Sequence, residues 1–167
     1  MSLIFKYWAK IILILCIIAI SSALVAEYIF NIYPCDMCLY QRYPYYFIVT
    51  IFIIFSFSKK NFNLYFYLLS ELAILYGLFY SVWHVGIENK LFDGPSGCST
   101  ILEKTNSTAD LKNQILSQDI VICSEVTWAF FGISAATINT ILLLFIFFFN
   151  TIYIINNYYE KKEKNKT

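Results

Sequence analysis

The chain alternates long apolar runs with short polar breaks, and four runs reach or approach membrane-spanning length: 8–30, 42–57, 64–83 and 126–155. A helix of about 20 apolar residues crosses a hydrocarbon core of ~30 Å. The pattern predicts an all-α integral membrane fold, a bundle of four transmembrane helices forming one domain over 1–167. The second run is short and would reach across with help from the turn before it or from local thinning of the bilayer. Two outer loops, 31–41 and 84–125, connect the runs at one end. The longer loop holds Ser107-Thr-Ala-Asp110, a capping pattern for a short surface helix through about Ser117. Leu111, Ile115 and Leu116 would rest that helix on the bundle or on the membrane surface. The first run exceeds a signal-peptide core and has no small-x-small exit, so it is expected to remain as a helix.

Composition agrees: 59% of the residues are hydrophobic and only 14% are charged, against about 25% charge in soluble domains. Lysine placement then orients the bundle. Lys6, Lys10, Lys59, Lys60, Lys161, Lys162, Lys164 and Lys166 fall on one side. Arg42, Lys90, Lys104 and Lys112 lie on the other, among seven carboxylates from Asp36 to Glu125. Both termini and the short middle loop are therefore expected in the cytoplasm, with the two longer loops outside. A net charge of +1 gives no reason to expect nucleic acid as a partner; the lipid bilayer is the partner that composition implies.

Cysteines change the picture from a membrane protein to a candidate for redox chemistry. Cys35 and Cys38 form a Cys-x-x-Cys pair in the first outer loop, and Cys98 and Cys123 lie in the second. Both pairs face a compartment where disulfides persist. Cys16, inside the first run, is expected to be a small apolar filler. A disulfide between Cys35 and Cys38 closes too short a loop to restrain the unfolded chain much. Zinc is the other bland possibility, but one His and no carboxylate-rich cage support it poorly, so no metal is expected. Reversible dithiol chemistry is the better use of such a pair. A bridge between Cys98 and Cys123 would close a loop over 123 − 98 = 25 positions, worth ~3 kcal/mol, so that pair alone reads as structural. The Gly94-Pro95-Ser96-Gly97 turn before Cys98 should be mobile and softens that reading.

Arg42 lies four residues after Cys38, so in a helix the guanidinium and the sulfur share a face. A helix N-terminus and a nearby Arg both favour thiolate. Pro44 leaves two geometries open: a helix starting near Tyr43, or a kinked helix running through. His84, at the outer end of the third run, is either a polar surface residue or a contact to a ligand near the outer leaflet. Glu71 stands in the inner half of the third run, where an ionisable group is costly. Tyr40, Tyr43, Tyr45, Tyr46 and Phe47 read as an interfacial belt, and a flat apolar ligand beside Cys38 would use the same rings.

The stretch Cys35-Asp-Met-Cys38-Leu-Tyr-Gln41-Arg42, with His84-Val-Gly86-Ile-Glu88 leading to Gly94-Pro95 and Cys98, then Cys123-Ser-Glu125, Trp128 and Phe131-Gly132, resembles the DsbB family of bacterial disulfide-generating membrane proteins. The resemblance implies an electron path from a periplasmic thioredoxin-fold oxidase of the DsbA type to a membrane quinone, ubiquinone or menaquinone, in the bacterial inner membrane. It implies redox-active disulfides Cys35–Cys38 and Cys98–Cys123, with Cys98 meeting the partner and Cys123 exchanging with Cys35. Cys38 would be the thiolate facing the quinone, with Arg42, His84 and Gln41 around the quinone site. Two other readings compete. In thiol–quinone enzymes of the vitamin K epoxide reductase type the Cys-x-x-Cys lies near the last helix, so chain order disfavours that design. A non-catalytic tetraspan protein with stapled loops would have disulfides that never exchange.

Overall fold

The computed structural model describes residues 7–57, 64–95, 123–124, 126 and 128–164. Four helices dominate: α1 (Trp8–Tyr28), α2 (Asp36–Phe57), α3 (Leu64–Glu88) and α4 (Ala135–Lys164). Among the described residues, three segments are long and apolar enough to cross a membrane: Trp8–Tyr28, Leu64–Glu88 and Ala135–Glu160. α3 packs between α2 and α4, and α1 lies along α2. The Trp8 indole at the start of α1 donates to Asn150 Oδ1 on α4, and Asn150 Nδ2 donates to the Tyr67 carbonyl near the start of α3. The opposite end gathers the start of α2, the end of α3 and the start of α4 around Gln41, His84 and Asn139. Neighbouring helices therefore run antiparallel, as the short α1–α2 and α2–α3 connections dictate.

Helix boundaries depart from the hydropathy pattern where polar chemistry sets them. α2 begins at Asp36, so residues 36–41 of the expected 31–41 loop are already helical. Pro44 sits inside this helix without ending it. The ring is accommodated by Gly77 of α3, where an added Cβ would lie 2.7 Å from Pro44 Cγ. α3 runs on to Glu88, past the expected end at 83, and stops at Lys90, whose φ is 58°. Leu91 N–H then bonds Gly86 O and Lys90 N–H bonds Ile87 O, the Schellman pattern that satisfies the last carbonyls. α4 begins at Ala135 rather than 126. Before it, Ala129 pairs with Ser134 and Phe130 with Ile133 in a two-stranded ribbon. Phe131 and Gly132 turn this ribbon with φ of 51° and 80°, both left-handed as a two-residue primed turn requires. Ser134 then caps α4 by accepting from Thr137 N–H at 3.2 Å. The expected surface helix near 107–117 lies outside the described residues.

The core divides in two. Trp8, Ile12, Cys16, Tyr45, Ile48, Phe66, Ile74 and Leu143 belong to one buried cluster along the bundle, and Cys16 fills space there as a fully buried side chain. A second, smaller cluster of Cys35, Met37, Ile87 and Cys123 closes the end where α2 starts and α3 stops.

Candidate functional site: a cysteine pair at the mouth of the bundle

Cys35 is the N-cap of α2. Its carbonyl accepts from Leu39 N–H at 3.2 Å and its sulfur accepts from Cys38 N–H at 3.4 Å. A thiol in that position receives the positive end of the helix directly. Cys35 Sγ stands 3.0 Å from Cys38 Sγ and 3.7 Å from His84 Nε2. These three contacts hold the Cys35 thiol down at about 5, the Cys38 S–H hydrogen bond contributing most and His84 next, against the opposing effect of burial. Cys38, in the first turn of α2, moves the other way: its hydrogen bond to Cys35 and its burial push the thiol up, and the Arg42 charge opposes this only weakly. In the dithiol state the anion therefore belongs to Cys35, because one pair of sulfurs in contact cannot both ionise.

Gln41 and His84, both named from sequence, are joined: Gln41 Nε2 lies 2.8 Å from His84 Nδ1, and both side chains are buried. His84 Nε2 also stands 4.0 Å from Glu88 Oε1, one turn further along α3. Arg42 is placed differently from its neighbours. Its guanidinium donates to Glu27 of α1 at 2.5 Å, with both side chains mostly covered. Cys123 is buried and packs in the same cluster as Cys35; Cys98 lies outside the described residues.

Sequence reasoning missed the residues behind this front. Asn139 of α4 donates to Gln41 Oε1 at 2.9 Å and to Ser81 Oγ at 3.2 Å, and accepts from the Tyr45 hydroxyl at 2.5 Å. Tyr45 is thus a buried interior donor and not part of the belt. Its position four residues after Gln41 on one helix face was the available signal. Polar Asn139 within an apolar run was another, since such residues in membrane helices point to the bundle interior.

Cys35, Cys38 and His84 offer three ligand atoms within 4.8 Å of one another, a spacing that suits a thiophilic cation. The sequence alone gives no reason to expect a metal. The hydrogen bond from Gln41 to Nδ1 argues for sulfur chemistry here, because a ring accepting at Nδ1 carries its proton on Nε2. A metal-bound His needs the reverse, a bare Nε2 and an Nδ1–H given to an acceptor. Beside Cys38 lies an aromatic face: Tyr40 and Tyr80 rings stand 5.2 Å apart, and Tyr80 and Trp83 stack at 6.2 Å. Tyr80 and Trp83 pack with Cys38 against the cysteine cluster.

A helical membrane protein with a Cys-x-x-Cys pair at the mouth of its bundle, the buried Cys35 sulfur favoured as thiolate by a helix N-terminus and an imidazole and Cys38 half-buried beside it, is built for thiol–disulfide exchange. Residues 6–153 match the family described as "Disulfide bond formation protein DsbB". The chain belongs to the DsbB family and is a membrane protein of disulfide bond formation. It is similar to "Uncharacterized protein RP370" of Rickettsia prowazekii (strain Madrid E), with 29% identity over 140 residues, 83% of this chain and 81% of that protein. No solved structure matches the chain.

Proposed function

We propose that this protein re-oxidises a soluble DsbA-like thiol oxidase and passes the electrons through Cys98–Cys123 and then Cys35–Cys38 to a membrane quinone. The observation that carries the reading is the shared burial of Cys35 and Cys123 in one cluster, although the two are 123 − 35 = 88 positions apart in the chain. Cys98 meets the partner thiolate. The Cys123 thiolate released there attacks Cys35 of the inner disulfide: a Cys123–Cys35 bond forms, the Cys35–Cys38 bond breaks, and Cys38 leaves with the electron pair. Once Cys35 is bound up in this way, Cys38 loses its hydrogen-bonded neighbour, and Arg42 remains as the charge favouring its thiolate.

The aromatic face of Tyr40, Tyr80 and Trp83 beside Cys38 suits a flat apolar ring. Cys38 and Arg42 would hold the quinone head there, and the quinone, when bound, supplies a two-electron acceptor. Such an acceptor is needed on energetic grounds. DsbA sits near about −120 mV and an extracted glutathione pool near about −240 mV, so re-oxidation by glutathione disulfide runs uphill by ~5–6 kcal/mol. In this reading α2 crosses as a fourth span, with its polar groups spent inside the bundle. The protein lies in a bacterial inner membrane, its termini are cytoplasmic and its paired cysteines periplasmic.

The test is quinone reduction in membranes supplied with a reduced thioredoxin-fold thiol oxidase. Turnover should collapse in Cys38→Ser and in Cys98→Ser. Undiminished turnover in either would overturn the assigned path.

A further inference from the structure

Behind His84 runs a chain of hydrogen bonds whose direction is fixed at its far end. Thr140 spends its hydroxyl proton on the Ala136 carbonyl at 2.8 Å, and a carbonyl can only accept. Ser81 spends its own proton on α4 as well, on Thr140 Oγ1 at 2.6 Å or the Ala136 carbonyl at 3.3 Å. Ser81 Oγ must then accept from its remaining neighbour, which is Asn139 at 3.2 Å. That sets the amide: the Asn139 nitrogen faces Ser81 and Gln41 Oε1, and its oxygen faces the Tyr45 hydroxyl. Gln41, its oxygen occupied by Asn139, has only its NH2 group to turn toward His84 Nδ1. Nδ1 accepts, so the neutral ring carries its proton on Nε2. Around Nε2 stand Cys35 Sγ at 3.7 Å and Glu88 Oε1 at 4.0 Å, and the ring also hydrogen-bonds the Cys123 backbone.

We propose that Asn139 is a positioning residue that, through Gln41, holds His84 as its Nε2–H tautomer and so keeps a hydrogen-bond donor aimed at the Cys35 sulfur. The chain sets orientation and does not conduct protons, because its links include two amides, which give hydrogen bonds without giving up N–H protons. Its burial favours one arrangement over all others, since a reversed member would leave an unpaired polar group inside the bundle. Gln41, Tyr45, Ser81 and His84 are all buried. The inference deepens the proposed exchange chemistry by naming what faces the Cys35 sulfur in the reduced pair, and it rests on that reading for its purpose. Its measurement needs no partner and no quinone, so failure of one is distinguishable from failure of the other.

The chain contains a single histidine, so protein labelled with 15N-histidine gives one imidazole signal pair, and its shifts name the tautomer directly. The reduced wild-type protein in micelles at a pH where the ring is neutral should show the proton on Nε2. In Asn139→Asp the carboxylate offers no N–H, so Gln41 turns its NH2 toward position 139 and presents Oε1 to the ring. The proton should then move to Nδ1. A merely structural role for Asn139 would lower stability without moving the tautomer. A wild-type spectrum showing Nδ1–H overturns the proposal even if the variant fails to fold. An Asn139→Asp protein that keeps the wild-type tautomer overturns it too.

Discussion

Arg42 of α2 and Glu27 of α1 form an ion pair at 2.5 Å, with only 14% and 22% of their side chains exposed. A covered pair of this kind is screened less than a surface pair. It ties the start of α2 to the end of α1. Glu27 is thus the counter-charge of Arg42, a cation that acts on Cys38, although nothing in its local sequence marks it.

Replacing Glu27 with Gln should therefore release that charge. In a Cys35→Ser background, where the competing sulfur is gone, Glu27→Gln should let Cys38 alkylate at a pH lower by up to about one unit. Arg42→Ala should move it upward. Under the proposed function the quinone KM should follow the same order, falling in Glu27→Gln and rising in Arg42→Ala. Identical alkylation profiles across the three proteins would show that Arg42 does not act on Cys38.

The front of the site was legible in the sequence because Cys35, Cys38, Gln41 and Arg42 are chain neighbours and their types name the chemistry. His84 needed the family resemblance to stand out. Glu27, Asn139 and Ser81 were not legible, since each reaches the site from a different helix, and a hydropathy pattern does not say which faces meet. The spacing of Asn139 and Asn150 held a usable signal: 150 − 139 = 11 positions is about three helical turns, so both fall on one face of α4. The late start of α4 was hidden because residues of the ribbon, such as Phe130, Phe131 and Ile133, are as apolar as a span. Only the left-handed Phe131-Gly132 turn and the Ser134 cap separate them from the helix.

Gly77 should tolerate no side chain. A Cβ there would lie 2.7 Å from Pro44 Cγ and 3.1 Å from Leu143 Cδ1, so α2, α3 and α4 would all have to shift. Overpacking of this kind costs about 1–3 kcal/mol, which should lower the melting temperature of Gly77→Ala by about 2–10 °C. Gly132→Ala is the informative contrast: nothing lies within 4 Å of the added carbon, and only its φ of 80° resists the change. Thermal unfolding in micelles should rank Gly77→Ala as the more damaging variant.

The inner half of the bundle depends on Asn150, which joins three helices. It accepts from the Trp8 indole, donates to the Tyr67 carbonyl and donates to the Glu71 carboxylate. Thr151 supplies Glu71 with a second donor. Asn150→Leu would orphan the Trp8 N–H and remove one of the donors to Glu71, at about 1–3 kcal/mol for each buried group left unpaired. Glu71→Gln keeps an acceptor oxygen for one of the two donors and should cost less. Unfolding curves that place the two variants in the opposite order would show that the carboxylate charge, and not the Asn150 network, holds this end together.

Stability of the reduced protein should depend on pH through Cys35. Its thiol falls from an ordinary value near 9.0 to about 5 in the folded protein, so between those values the unfolded chain binds the extra proton. Folding stability must then rise with pH across that window. The contribution is absent below about 5, grows between about 5 and 9, and is complete above the unfolded value. A protein whose Cys35–Cys38 disulfide is formed has no Cys35 thiol to titrate, so the difference between reduced and oxidised unfolding midpoints isolates the effect. Removing the donors should weaken it: Cys38→Ala and His84→Ala each delete a group that lowers the Cys35 thiol, so its alkylation midpoint should climb in both variants. A reduced protein whose stability falls as pH rises from 5 to 8 would assign the anion to some group other than Cys35.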